Sequence, residues 1–167
     1  MKKIPDNNTE INNTNHINVF HKQNLDFIEF WFSDKKQILP MGMMLTLDNK
    51  VIAVALDFST NEIKQHSIDS FHLGVIVLKA IAYGIISEVW YYHSDKEMFK
   101  NSNYILPSEH PDKAEAVLYH FETKNSYKLT MWDIKRENNI QPFLVQITDD
   151  KTNELTDISS RFSGFIK

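Results

Sequence analysis

Three features of the 167-residue chain predict a single α+β domain. Two segments repeat apolar residues at helical spacing, Leu25, Ile28 and Phe32 in the first and Phe71, Val75, Leu78, Ala82 and Ile85 in the second. Most of the strand-like runs come in pairs flanking short polar turns, so the sheet should be mostly antiparallel. No internal repeat and no Pro- or Gly-rich linker divides the chain. Its hydrophobic content of 42% is enough for one core, and its 12% aromatic content predicts large rings in that core.

Residues 1–16 are mostly Asn, Asp, Lys and Thr, which predicts a polar N-terminal tail ahead of a domain at 17–167. The first helix is expected over 17–36, with Phe27, Phe30 and Trp31 widening its apolar face and Pro40 closing the region. Runs 41–47 and 51–58 flank Asp48-Asn49-Lys50, which has good turn chemistry and predicts a hairpin. The central helix is expected over 67–86, capped by Ser67 or Asp69. Leu78 would be buried against the sheet, and Asp69, His72, Lys79 and Tyr83 would form a solvated face.

A strand at 88–93 follows, then a hairpin of 114–121 and 127–136 around Thr123–Ser126. A further short strand-like run, 143–148, comes after a turn at 137–140. Leu155, Ile158, Phe162 and Phe165 share one helical face and predict a short final helix. The succession αββαβββα thus gives a five-strand, mostly antiparallel sheet with a long helix on one face. Over residues 17–165 this element order resembles the profilin-like and roadblock-like sensor and scaffold folds, which host many functions.

Composition removes several classes of chemistry. The chain has no cysteine, which excludes thiol catalysis, disulfides and cysteine-ligated metal sites and fits a cytoplasmic setting. A net charge of −4 argues against nucleic acid as partner. The greasiest region, 73–86, is interrupted by Gly74, Lys79, Tyr83 and Gly84 and is too short to cross a bilayer. No apolar signal core follows Met1-Lys2-Lys3. The four glycines are scattered, so phosphate loops and Rossmann fingerprints are absent, as is a Gly-x-Ser-x-Gly elbow.

Candidate site residues concentrate between 88 and 136. Glu88 shares a strand face with Trp90, and an indole beside a carboxylate can favour its protonated form. If the second hairpin is centred on its turn, Val117 opposes Asp133, Tyr119 opposes Met131, and Glu115 opposes Lys135. That register gathers Glu115, Asp133 and Lys135, with Asp112 one step beyond. Pro111-Asp112 and Asp133-Ile134-Lys135 then echo the metal motif of restriction-type nucleases, where carboxylates hold Mg²⁺ and a lysine orients water. On that reading Asp112, Glu115 and Asp133 are the metal candidates. Glu88, Asp112, Glu115, His110 and Lys135 are the catalytic ones. The plainer reading is a cross-strand ion pair. His93, His110 and His120 with Asp95 and Asp112 lack the spacing that anchors a metal site.

Glu88-Val89-Trp90 and the run Pro107-Ser108-Glu109-His110-Pro111-Asp112-Lys113-Ala114-Glu115-Ala116 together resemble a bacterial family of small proteins without an assigned activity. Members carry Glu-Ala-Trp on one strand and Pro-Ser-Glu-His-Pro-Asp-Arg-x-Glu-Ala entering the next; here Val89 and Lys113 replace Ala and Arg. The resemblance spans about residues 85–136 and implies a site at Glu88 and the 107–115 loop, without implying a reaction. The function expected is a binding or regulatory module without catalysis or cofactor, acting on a protein partner or on a second copy. The alternative is a metal-dependent hydrolase.

Overall fold

A computed structural model describes residues 7–91, 107–137, 140–147 and 151–154. Helix α1 (Asn7–Lys35) begins ten residues ahead of the expected start at 17. Phe20, Ile28 and Phe32 are buried along one stripe, with Ile17, Leu25, Phe27 and Trp31 packed at its margins. The stripe is narrower than the composition suggests, because Phe30 points to solvent. The helix ends where Lys36 turns left-handed at φ 60° and its N–H reaches Phe32 O at 2.9 Å.

Strands β1 (Met41–Thr46) and β2 (Val51–Ala55) form the expected hairpin. Its turn is fixed by side-chain chemistry. Thr46 Oγ1 donates to Asp48 Oδ1 at 2.6 Å and accepts from Lys50 N at 3.1 Å, and Asn49 takes φ 62°.

Helix α2 (Asn61–Val77) corrects the expected helix at 67–86 at both ends. Its cap is Thr60, whose Oγ1 accepts Ile63 N–H at 3.2 Å, in place of Ser67 or Asp69. It ends at Leu78, and Lys79 at φ 52° reverses the chain into strand β3 (Ala80–Tyr91). Ala82, Tyr83 and Ile85 are buried, but on a strand, and Leu78 is 44% exposed where burial was expected. The physical reason is that β3 is covered on both faces. Such strands lose polar alternation and read as apolar runs, which periodicity alone does not separate from a buried helix.

The rest of the sheet is β4 (Ala114–Thr123), β5 (Ser126–Lys135), β6 (Phe143–Gln146) and β7 (Lys151–Glu154), all pairings being antiparallel. The order is β2-β1-β3-β4-β5-β6, with β7 also on β5. The sheet therefore has seven strands where five were expected. β6 and β7 occupy successive stretches of one β5 edge, with their registers offset by two residues. The expected final helix lies outside the described residues, as do 1–6 of the expected tail.

The two helices lie on opposite faces. On one, α1 packs over Met43, Leu45, Ala82, Ile86, Val117, Tyr119, Phe121, Trp132 and Ile134. On the other, Phe71 and Val75 of α2 pack with Met44, Leu56, Tyr83 and Ile85. Glycines open the sheet for two rings. Phe71 lies against Gly42, and Tyr119 lies across Gly84.

These contacts predict opposite outcomes for two small substitutions. A methyl at Gly84 would stand 2.5 Å from the Tyr119 ring. That ring is fully buried, and Asn24 Nδ2 donates to its hydroxyl at 3.0 Å, so it has little room to yield. Gly84→Ala should cost about 1–3 kcal/mol. At Gly74, inside α2, the nearest neighbour is Met44 Cε at 3.5 Å, an ordinary contact. Gly74→Ala should stabilise by about 0.5–1 kcal/mol through helix propensity. Denaturant midpoints shifting in the same direction for both would refute this packing.

Candidate functional site

The pairing of β3 with β4 brings Glu88 opposite Val117 and Trp90 opposite Glu115. Glu88 and Glu115 are thus diagonal neighbours on adjacent strands, on the face that carries α1. Each carboxylate is engaged separately. Glu88 Oε1 accepts the Ile38 N–H at 2.7 Å, tying the α1–β1 connection to β3. Glu115 Oε2 accepts from Arg136 Nε at 2.6 Å.

The hairpin register differs by one residue from the expected one, with Ala116, not Val117, opposite Asp133, and Tyr119 opposite Thr130. One residue of slip moves a side chain to the other face. Asp133 and Lys135 therefore lie on the α2 side, away from Glu115. The expected Glu115–Lys135 pair is replaced by two others, Glu115 with Arg136 and Lys135 with Asp133 at 2.5 Å. Asp133 also accepts the Tyr91 hydroxyl. Burial, then that hydrogen bond and the neighbouring charge, push the Tyr91 phenol up to about 12, so it stays a donor.

The 107–113 loop is a single 3-10 turn, Pro107–Glu109, followed by a tight bend. Asp112 N–H donates to His110 Nδ1 at 3.1 Å, and Lys113 N–H donates to His110 O at 3.3 Å. Lys113 Nζ donates to Ser108 O at 2.6 Å and sits 4.7 Å from the centre of the Trp90 ring. One lysine thus pins the loop to β3 through a cation–π contact. Asp112 is exposed at the bend. No group of three His, Asp or Glu side chains with metal-binding geometry occurs among the described residues. His93 and Asp95 lie outside them, and His120 is buried.

Sequence reasoning placed His72 and Tyr83 on a solvated helix face, whereas both are buried under α2. There Tyr83 donates to Glu122 Oε2 at 2.7 Å, and the Glu122 side chain is fully buried. The ring of Tyr83 meets those of His72 at 5.7 Å and His120 at 6.1 Å, and His120 meets Tyr127 at 6.1 Å. Burial and the adjacent carboxylate push the Tyr83 phenol far above its ordinary range. Desolvation lowers His72 to about 4, partly opposed by Asp69. His120 is also lowered to about 4, by desolvation and then by the charge of His72. The available signal was the spacing of His120 and Glu122, which puts two ionisable groups on one face of a strand.

The α2 side carries one more feature. His72 points towards Tyr83 and His120, and Ile76 follows one turn later on the same flank. Leu73, Ile76 and Val77 form an i, i+3, i+4 stripe that is 62%, 55% and 65% exposed. On the α2 side of the sheet, β4, β5 and β6 present Leu118, Leu129, Met131 and Val145, half-buried or exposed. Among the described residues no element covers this apolar ledge, the helix stripe together with the exposed sheet face. No family model, curated protein or solved structure matches the chain.

The buried imidazoles set a pH dependence. Their folded pKa values lie below the ordinary 6.5, so the unfolded chain binds more protons between those limits. Their contribution to stability is complete above about pH 6.5 and is lost as pH falls towards about 4. Thermal melts across that window should show a falling Tm, and His120→Phe should flatten the fall. An unchanged slope in His72→Phe and His120→Phe alike would show that neither ring is buried in its neutral form.

Proposed function

We propose that the protein is a binding module that docks another protein, or a second copy of itself, on the apolar ledge beside α2. The observation that carries this is the Leu73-Ile76-Val77 stripe. A surface helix ordinarily turns polar residues outward, and a large exposed apolar patch marks an interaction site. The same face of β5 and β6 adds exposed Leu129 and Val145. The engagement of Glu88 and Glu115 in separate structural contacts supports binding over hydrolysis. The cysteine-free composition supports a cytoplasmic setting, and the Glu88 and 107–116 motifs support kinship with the small bacterial family they resemble.

Leu73→Glu with Val77→Glu, both on the solvent side of α2, should leave folding intact. Loss of a buried apolar anchor at an interface is worth about 2 kcal/mol or more, roughly a thirtyfold fall in affinity. Tagged wild-type protein should hold a stoichiometric protein companion or self-associate by light scattering, and the double variant should lose it. Glu88→Gln and Glu115→Gln should not. A strictly monomeric wild type without a stoichiometric companion would overturn the proposal.

A further inference from the structure

A groove of about 880 Å³ opens at the end of the sheet where β3 begins and β4 ends, between the N-terminal half of α1 and the C-terminal end of α2. It meets the docking ledge only at Ile76. Ile17, Leu47, Val75, Ile76, Ala80 and Ile81 supply its apolar lining, and Thr14, Thr123, Asn125 and Ser126 add neutral polar groups. Its rim is cationic. Among the described residues that line it, the only charged side chains are Lys79 and Lys124, and it has no carboxylate. Ala82 pairs with Thr123, so Lys79 before β3 and Lys124 after β4 stand at the same end of adjacent strands. Asn13 and Asn18 of α1 add amide groups to the rim.

Lys79 holds its place at a conformational cost. It sits at φ 52°, just past the C-cap of α2, where glycine is the usual occupant. A left-handed backbone is unfavourable for a residue with a Cβ. The lysine thus gives up stability at a position where its side chain lines the groove, a pattern that favours a role for the charge.

We infer that this groove binds a small carboxylate carrying an apolar tail, with the head group at Lys79 and Lys124 and the tail along Ile17, Ile76 and Ile81. The volume lies in the range of small-ligand sites, which combine apolar side chains with polar groups that fix a ligand's orientation. Among the described lining residues the charges are of one sign, which selects the anionic head. This inference goes beyond the protein-docking surface and does not depend on it.

The test is an amide NMR titration of the full chain with octanoate, against octan-1-ol and acetate as single-part controls. Octanoate should give saturable shifts at residues 13–18, 75–81 and 123–126. Octan-1-ol, lacking the charge, and acetate, lacking the tail, should each bind at least about tenfold more weakly. Lys79→Gln and Lys124→Gln should each weaken octanoate about threefold, and about tenfold together. Lys79→Gly is the sharper variant. It should raise the melting temperature by relieving the left-handed backbone and still weaken octanoate, so weaker binding does not come from misfolding. Equal saturation by octan-1-ol or acetate, shifts confined to other regions, or a double lysine variant that binds like wild type would each overturn the inference.

Discussion

The fold depends on the burial of β3 on both faces. Its first eight residues, from Ala80 to Ser87, are all buried or nearly so, between α1 on one side and α2 on the other. It pairs with β1 along one edge and with β4 over ten residues along the other. A strand in that position has no solvent face to absorb error, so its side chains must fit two cores at once. Gly84 shows how tight the fit is, since its missing Cβ is the space that the Tyr119 ring occupies. Tyr119 is in turn held by Asn24 and His21 of α1, which locks the helix to the middle of the sheet.

The opposite face is set by a polar contact. Glu122 is fully buried, and Tyr83 turns its hydroxyl onto that carboxylate across the β3–β4 pair. Burying a carboxylate costs more than burying a hydrocarbon unless donors meet it, so this contact is tolerated only where the geometry is right. His72 brings α2 into the same cluster through the Tyr83 ring. Apolar packing under α2, by Phe71 and Val75, supplies attraction without direction. The polar contacts add direction, because a helix shifted along the sheet would lose them while keeping much of its apolar burial.

Much of this was legible in the residues. The first hairpin was, because Asp48-Asn49-Lys50 writes its turn in side-chain hydrogen bonds. The β4–β5 pairing was, but its register was not. Thr123 Oγ1 takes the N–H groups of Asn125 and Ser126 and so shifts the centre of the turn, a detail that hydrophobic alternation does not carry. The α2–β3 boundary was hidden for a different reason. Val75 to Ile86 is apolar apart from Lys79, Tyr83 and Gly84, Lys79 looks like an ordinary helix residue, and no glycine stands at the reversal. Missing that boundary also hid the buried cluster, since Tyr83 counted as a helix surface residue until it fell on a strand facing Glu122. Glu88 and the 107–115 loop stood out by composition, and they do meet on adjacent strands, but composition does not reveal that Ile38 and Arg136 already occupy the two carboxylates.

Uneven cover on the two faces is what the proposed docking reading rests on. On the α1 side the helix buries residues from β1 through β5, and the polar groups at the edge of that core are tied into ion pairs and backbone contacts. On the α2 side the helix packs with β1 and β3 and leaves the same face of β5 and β6 without a covering element among the described residues. Polar substitution would have been the cheap way to protect such a ledge from association, since surface positions tolerate it at little cost in stability. Instead Leu73, Ile76 and Val77 on the helix, and Leu129 and Val145 on the sheet, are exposed, with no charge between the three helix positions. A chain carrying 24% charged residues had charge to spend on that stripe and did not place it there. On the proposed reading, apolar residues are kept at such positions because a partner covers them.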